Sequence, residues 1–182
     1  MKQNILIVSA TWHGQAREVA ERIATVALAN GVDATLCDAQ DATFDYAPPI
    51  DGVVVVGSVH FGVYPGSLQR FVRGALPNLS KVSTAFVSVS GAAASIAGRD
   101  EADSYIRKFL NAAGWKPDLV LSCAGAIKYT QYGFFTRALM KFTSRVAGRS
   151  LDTSRDHVYT DWASVEAFAH ELVDRIRKSK AA

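Results

Sequence analysis

Apolar residues along the chain gather in short dense runs, separated by longer stretches in which apolar and polar positions alternate at helical spacing. Residues 5–9 form one such run, Ile-Leu-Ile-Val followed by Ser, and residues 53–57 form a second, four valines and then Gly. A strand that is apolar at consecutive positions is covered on both faces, as in a parallel sheet. Residues 84–89 and 119–124 read as further strands, and 32–37 as a weaker one. Between them the spacing predicts helices. Residues 15–30 carry Val19, Ala20, Ile23, Ala27 and Leu28 and close on Asn30-Gly31. Another helix begins over 67–73, a third covers 101–113 and stops at Gly114, and a last one covers 162–178. This last helix places Val165, Phe168, Ala169, Leu172, Val173 and Ile176 on one stripe. "YAPPIDG" (46–52) reads as a loop. Strands alternating with helices predict a parallel sheet with right-handed crossovers. A chain of this length favours one α/β domain over 1–182, a doubly wound five-stranded parallel sheet in the order 2-1-3-4-5. Residues 125–160 break the alternation, and such a length reads as a functional insertion near strand five.

Composition narrows the class. Apolar residues make up 49% and charged residues 20% of 182, ordinary for a globular chain. No apolar stretch reaches the roughly 18 residues that a membrane span needs, and the N-terminus lacks a small-residue cleavage site. The formal net charge of +3 is too weak to imply nucleic acid, and it disfavours the acidic surface of a soluble electron shuttle. Cys37 and Cys123 have no CxxC partner and no histidine cluster beside them, so both read as reduced, buried residues of a cytoplasmic protein.

In an open α/β sheet a ligand sits outside the carboxyl ends of the strands, where the strand order reverses. Three loops converge there. The first, "SATWHGQARE" (9–18), joins strand one to the first helix. Its Thr11, Trp12, His13, Gly14, Gln15 and Ala16 offer backbone N–H groups at a helix N-terminus, which favours a phosphate. The Thr11 hydroxyl and Gln15 amide are further donors, and Gly14 allows close approach. The pattern is neither GxGxxG nor GxxxxGKS. The second loop, "GSVHFGVYPGS" (57–67), brings Ser58, Val59, His60, Phe61 and Gly62, with Tyr64 behind them. Aromatic side chains and backbone polar groups suit a flat conjugated ring, while the plainer reading of Phe61 and Tyr64 is packing at a helix entry. The third loop, 88–101, supplies Ser88, Val89, Ser90 and Gly91. A phosphate site beside two ring-contacting loops describes flavin mononucleotide (FMN) better than other common cofactors. No HExxH, GxSxG, paired-carboxylate or metal-ligand pattern is present. Histidine changes charge near neutral pH, so His60, in the second loop, is the candidate for proton transfer.

Within the insertion, "GFFTRALMKFTSRVA" (133–147) is amphipathic, with Phe135, Leu139, Phe142 and Val146 on one face and Arg137, Lys141 and Arg145 on another. The basic stripe, with Lys128, is either a solvated face or a contact to an anionic membrane, at about 1 kcal/mol per cation near the surface. "AGAIKY" (124–129), this basic aromatic segment and "HVYTDWASVEAFA" (157–169) resemble the flavodoxin-like, menaquinone-dependent protoporphyrinogen oxidase family. "SYIRKFLNAAGWKPD" (104–118), "GSVHFGVYPGSLQRFV" (57–72) and "HGQAREVA" (13–20) resemble it as well, so the similarity runs over nearly the whole chain.

That resemblance implies a flavodoxin-like fold that binds FMN, oxidises protoporphyrinogen IX to protoporphyrin IX, and passes electrons to menaquinone or another respiratory quinone. It implies a cytoplasmic protein held peripherally at the inner face of the cell membrane. Lys128, Tyr129 and Tyr132, with Arg137, Lys141 and Arg145, then fall on the substrate and membrane side, and cations there suit propionates. Ala10 and Ala16 stand where such proteins usually carry hydroxyl residues, which removes two phosphate donors. At 0.5–1.5 kcal/mol for a typical hydrogen bond, that lowers FMN affinity about tenfold. Two other readings are an electron carrier or quinone reductase of the same fold, and a cofactor-less binding module.

Overall fold

The computed structural model describes residues 2–43, 49–127 and 157–181, with the side chains of 126, 127, 157, 158, 180 and 181 left aside. Five strands, β1 (Asn4–Ala10), β2 (Asp33–Asp38), β3 (Gly52–Ser58), β4 (Ser83–Ser90) and β5 (Leu119–Ala124), form a sheet in the order β2-β1-β3-β4-β5. Each pairing is parallel, with Val8 opposite Cys37 and Val55, and Val55 opposite Phe86. Four helices, α1 (Gln15–Ala29), α2 (Gly66–Leu79), α3 (Arg99–Ala113) and α4 (Trp162–Ala181), cover the two faces.

The dense apolar runs follow from that double cover. Ile5 and Ile7 of β1 and Val54 and Val56 of β3 pack on one face against Val19 and Ile23 of α1 and Leu172 and Ile176 of α4. Their neighbours Leu6, Val8, Val53 and Val55 point the other way, against Leu68 and Phe71 of α2 and Ile106 and Phe109 of α3. All eight strand residues are fully buried. Each stabilises the fold by at most about 1.5–3 kcal/mol, an upper bound because the unfolded chain is already partly collapsed. On the helix side Phe86 stacks on Phe109 at 5.0 Å and meets the edge of Trp115 at 5.9 Å. The edge strand β2 is only partly buried, so its Cys37 is half-buried where the sequence reading had it buried; Cys123, in β5, is buried, and neither cysteine is in a disulfide.

Because α1 lies on one face and α2 on the other, the loops after β1 and β3 diverge and leave a crevice at the carboxyl edge. Beyond β5 the backbone forms β6 (Ala126–Ile127), which pairs antiparallel with β7 (His157–Val158). This two-stranded stem joins the chain on either side of 128–156.

Candidate functional site

The first loop is a tight turn over 11–14. Gly14 has φ +86°, the left-handed conformation that a Cβ disfavours, and it caps α1. Its N–H donates to Thr11 Oγ1 at 2.9 Å, so the threonine oxygen accepts within the turn and its hydroxyl can still donate to another partner. The first intrahelical bond runs from Glu18 N to Gly14 O at 3.1 Å. The N–H groups of Gln15, Ala16 and Arg17 lie ahead of it and point along the axis toward the turn. That is a positive end fit for an anion. Beside the turn opens a cleft of about 360 Å³ whose lining includes Thr11, Trp12, Gln40 and Arg70.

The second loop leaves β3 and reverses at once. His60 and Val63 exchange both backbone bonds, at 2.9 and 3.2 Å, and the two residues between them, Phe61 (φ +48°) and Gly62 (φ +81°), are both left-handed. Positive φ at both central residues is the mark of a type I′ turn, where Asn-Gly is the usual pair and a bulky aromatic at the first position is strained. Phe61 is 81% exposed, so no burial of its own explains the strain. Its ring meets the edge of His60 at 4.3 Å, and His60 in turn contacts Trp12 at 5.9 Å and His13 at 5.3 Å. Ser58 ties the two loops together, its Oγ accepting from Trp12 N at 3.3 Å.

The third loop is pinned by two short 3-10 turns, Ala92–Ala94 and Ile96–Gly98. Ser90 Oγ accepts from Ala93 N at 3.3 Å, and Ser95 Oγ accepts from Gly98 N at 3.2 Å. Ile96 stands 80% exposed at its tip. With Trp12, Phe61 and Val63 it makes four exposed apolar side chains on the three loops at this edge of the sheet. A helix N-terminus for an anionic tail, a strained aromatic wall and an apolar rim fit a flavin, flat at one end and charged at the other.

The expected residues separate into those at the crevice and those behind it. Thr11, Trp12, His13, Gly14, His60, Phe61 and Gly62 lie on the two loops that form it, and Ser58 ends β3 beneath them. Gln15 differs from expectation: its side chain turns inward, 5% exposed, and its amide donates to Thr160 Oγ1 at 2.9 Å, leaving only its backbone N–H for a ligand. Ala16 is buried and likewise offers backbone alone. Val59 N continues the ladder to Val89 O at 2.8 Å. Because β4 runs on to Ser90, Ser88, Val89 and Ser90 are buried strand residues, and the loop proper starts at Gly91. Ser88 Oγ accepts from Tyr64 at 2.8 Å, and the Tyr64 ring packs against Phe86 and Phe109. Tyr64 is thus a packing residue, and burial pushes its phenol well above the usual tyrosine range. Burial also pushes the Cys123 thiol up to about 12. Tyr105, beside Gly62, is pushed up to about 12 by desolvation and by its hydrogen bond to Glu101. Lys128, Tyr129, Tyr132, Arg137, Lys141 and Arg145 lie outside the described residues. Among the described residues no group of three or more His, Cys, Asp or Glu side chains could hold a metal ion. Thr160, which nothing in the sequence pattern marks, is the residue that sequence reasoning missed.

This sheet order, with a helix N-terminus and aromatic loops at its switch point, defines a protein of the flavodoxin class. The family model for the flavodoxin domain matches residues 6–154. Protoporphyrinogen IX dehydrogenase (quinone) of Escherichia coli (strain K12) is 33% identical over 168 residues, covering 92% of this chain and 93% of that relative. The protein of the same name from Leishmania major is 31% identical over 169 residues, covering 92% of this chain and 73% of its own. The chain belongs to the flavodoxin domain family and, within it, to the protoporphyrinogen IX dehydrogenase (quinone) family of oxidoreductases. Among solved structures, a flavodoxin from the domain Archaea superposes with a TM-score of 0.59 at 14% identity, over 96% of this chain and 99% of that one. Oxidised Flavodoxin 1 from Bacillus cereus gives 0.56 at 16% identity, over 94% and 98%. At such identities the likeness is one of fold.

Proposed function

We propose that this chain uses FMN to oxidise protoporphyrinogen IX to protoporphyrin IX and passes the electrons to a respiratory quinone. The observation that carries the reading is the 33% identity to the Escherichia coli relative over 92% of the chain, in a fold whose crevice suits a flavin. FMN supplies a two-electron acceptor that a quinone can regenerate, so repeated turns carry the substrate to the porphyrin.

The residues of the chain take distinct parts. The N–H groups at the start of α1 and the Thr11 hydroxyl would hold the phosphate. Phe61, exposed on its left-handed turn, would offer an aromatic face to the ring. Val63 and Ile96, both exposed and apolar, would keep water from it. His60, packed among Trp12, His13 and Phe61, is placed to take or return a proton as substrate is oxidised. The apolar rim suits a lipid-soluble quinone, menaquinone among them. The cations Lys128, Arg137, Lys141 and Arg145 suit both substrate propionates and an anionic leaflet, which supports a peripheral position at the inner face of the cell membrane. Among the described residues no helix is long and apolar enough to cross a membrane.

The test is anaerobic. FMN-loaded protein is mixed with protoporphyrinogen IX and a water-soluble quinone, and porphyrin fluorescence is followed. The proposal expects a rate well above that of free FMN with the same quinone; a rate equal to that control overturns it.

A further inference from the structure

Gln15 and Thr160 stand 145 positions apart and meet in the interior. Gln15 Nε2 donates to Thr160 Oγ1 at 2.9 Å, and the same hydroxyl donates onward to the Ala124 carbonyl at 2.8 Å. Both side chains are more than nine-tenths buried, at 5% and 8% exposure. The relay joins two functionally different places. Gln15 is the first residue of α1, directly behind Gly14 and the turn that receives the anion. Ala124 ends β5, and Thr160 follows β7, so these two flank the stem where the chain departs and returns. Tyr159 N reaches Gly125 O at 3.4 Å and Gly125 N reaches Ser90 O at 3.1 Å, fastening the same junction to β4.

The Thr160 hydroxyl accepts one bond and donates another through a single oxygen, which an isosteric methyl cannot do. Gln15 has no second anchor, since its buried Oε1 is without a hydrogen-bond partner among the described residues. The side chain that heads α1 is therefore tethered through a single oxygen. Helix-terminal N–H groups act on an anion only within the first turn, so their grip depends on where that turn is held.

We propose that Thr160 is a positioning residue for cofactor binding: through Gln15 it fixes the first turn of α1 against the end of β5, and so sets how tightly the turn grips the phosphate of FMN. The inference rests on the FMN reading above and deepens it. It assigns part of the cofactor's affinity to a residue on the far side of 128–156. It also gives the Gln15 amide an indirect role instead of a direct contact. The effect belongs to the phosphate and leaves the ring contacts alone.

The experiment uses the full chain. FMN and riboflavin, which lacks the phosphate, are each titrated by flavin fluorescence quenching into the wild type, Thr160→Val and Thr160→Ser, with thermal unfolding followed in parallel. Thr160→Val is isosteric but can neither accept nor donate. It should weaken FMN about tenfold, equivalent to about 1.4 kcal/mol, and leave riboflavin within twofold. Thr160→Ser, which keeps the hydroxyl, should restore FMN to within threefold of wild type. The inference is overturned if Thr160→Val melts lower yet binds FMN as the wild type does, if FMN and riboflavin weaken together, or if Thr160→Ser does not restore binding. Should Thr160→Val fail to fold, Gln15→Met, which keeps the length and removes the amide, must show the same selective loss. If the wild type itself takes up no FMN, the cofactor reading falls and this inference with it, an outcome distinct from equal binding by wild type and variant.

Discussion

Replacing Phe61 by Asn should make the protein more stable and a poorer flavin binder. Phe61 sits at φ +48° in a two-residue turn, followed by Gly62 at +81°. A left-handed backbone costs an ordinary L-residue roughly 1–2 kcal/mol, whereas Asn-Gly is the favoured pair for such a turn. Little opposes the gain. The ring is 81% exposed, and among the described residues it meets one other ring, the edge of His60 at 4.3 Å. Aromatic pairs add about 0.5–1.5 kcal/mol, and exposure puts this one at the low end. The net is about 0.5–1.5 kcal/mol in favour of Phe61→Asn, which in a chain of this size raises the melting temperature by about 1–6 °C. The same change removes the wall against the flavin ring, worth about 0.5–1.5 kcal/mol, so FMN should bind roughly two- to tenfold more weakly. Thermal unfolding of the apoprotein and a fluorescence titration read the two effects separately. A lower melting temperature refutes the strain; an unchanged dissociation constant refutes the wall. Opposite movement of the two is what strain held at a functional site predicts.

Other substitutions probe the turns. Gly14→Ala forces a Cβ onto φ +86° at the head of α1, so it should lower stability by about 1–2 kcal/mol and weaken FMN in parallel, seen by melting and titration. Gly98→Ala would place its Cβ 2.1 Å from the Ala92 carbonyl oxygen, a backbone atom that cannot step aside, so a loss of about 3 kcal/mol or more is expected in denaturant unfolding. Burial raises the Cys123 thiol from 9.0 to about 12, and desolvation with Glu101 raises Tyr105 from 10.0 to about 12. Both groups hold their protons more tightly folded than unfolded. Their contribution to stability is therefore intact below about pH 9 and is lost as pH climbs toward 12. Melting temperatures that stay level from pH 8 to pH 11 would contradict it, as would thiol labelling of Cys123 at the rate of the half-buried Cys37 in native protein at pH 8.

The sheet was legible because its strands are buried on both faces. Val53–Val56 and Ile5–Val8 carry no alternation to misread, and the order 2-1-3-4-5 followed from a doubly wound parallel sheet of this size. Strand ends were less so: β4 gains Ser83 and Ser90, small polar residues whose strand state is set by pairing with Gly52 and Ala124. That extension takes Ser90 into the strand, and the burial of the whole strand withdraws Ser88, Val89 and Ser90 from the loop's surface. The stem of β6 and β7 was unreadable, since two residues have no period. Phe61 and Tyr64 look alike in sequence, and only the reversal at 61–62 sends one ring to solvent and the other into the core. The Gln15–Thr160 contact left no trace in the sequence because it joins positions whose proximity only the closed sheet creates.

One comparison bears most directly on whether the head of α1 grips an anionic flavin tail: equilibrium titration of the wild-type protein with FMN and with riboflavin at low salt. Charge-assisted hydrogen bonds contribute about 1.5–3 kcal/mol each, so with Thr11 and the N–H groups ahead of Glu18 in place, FMN should bind at least about thirtyfold tighter. Affinities that agree within threefold, or uptake of neither compound, would contradict it.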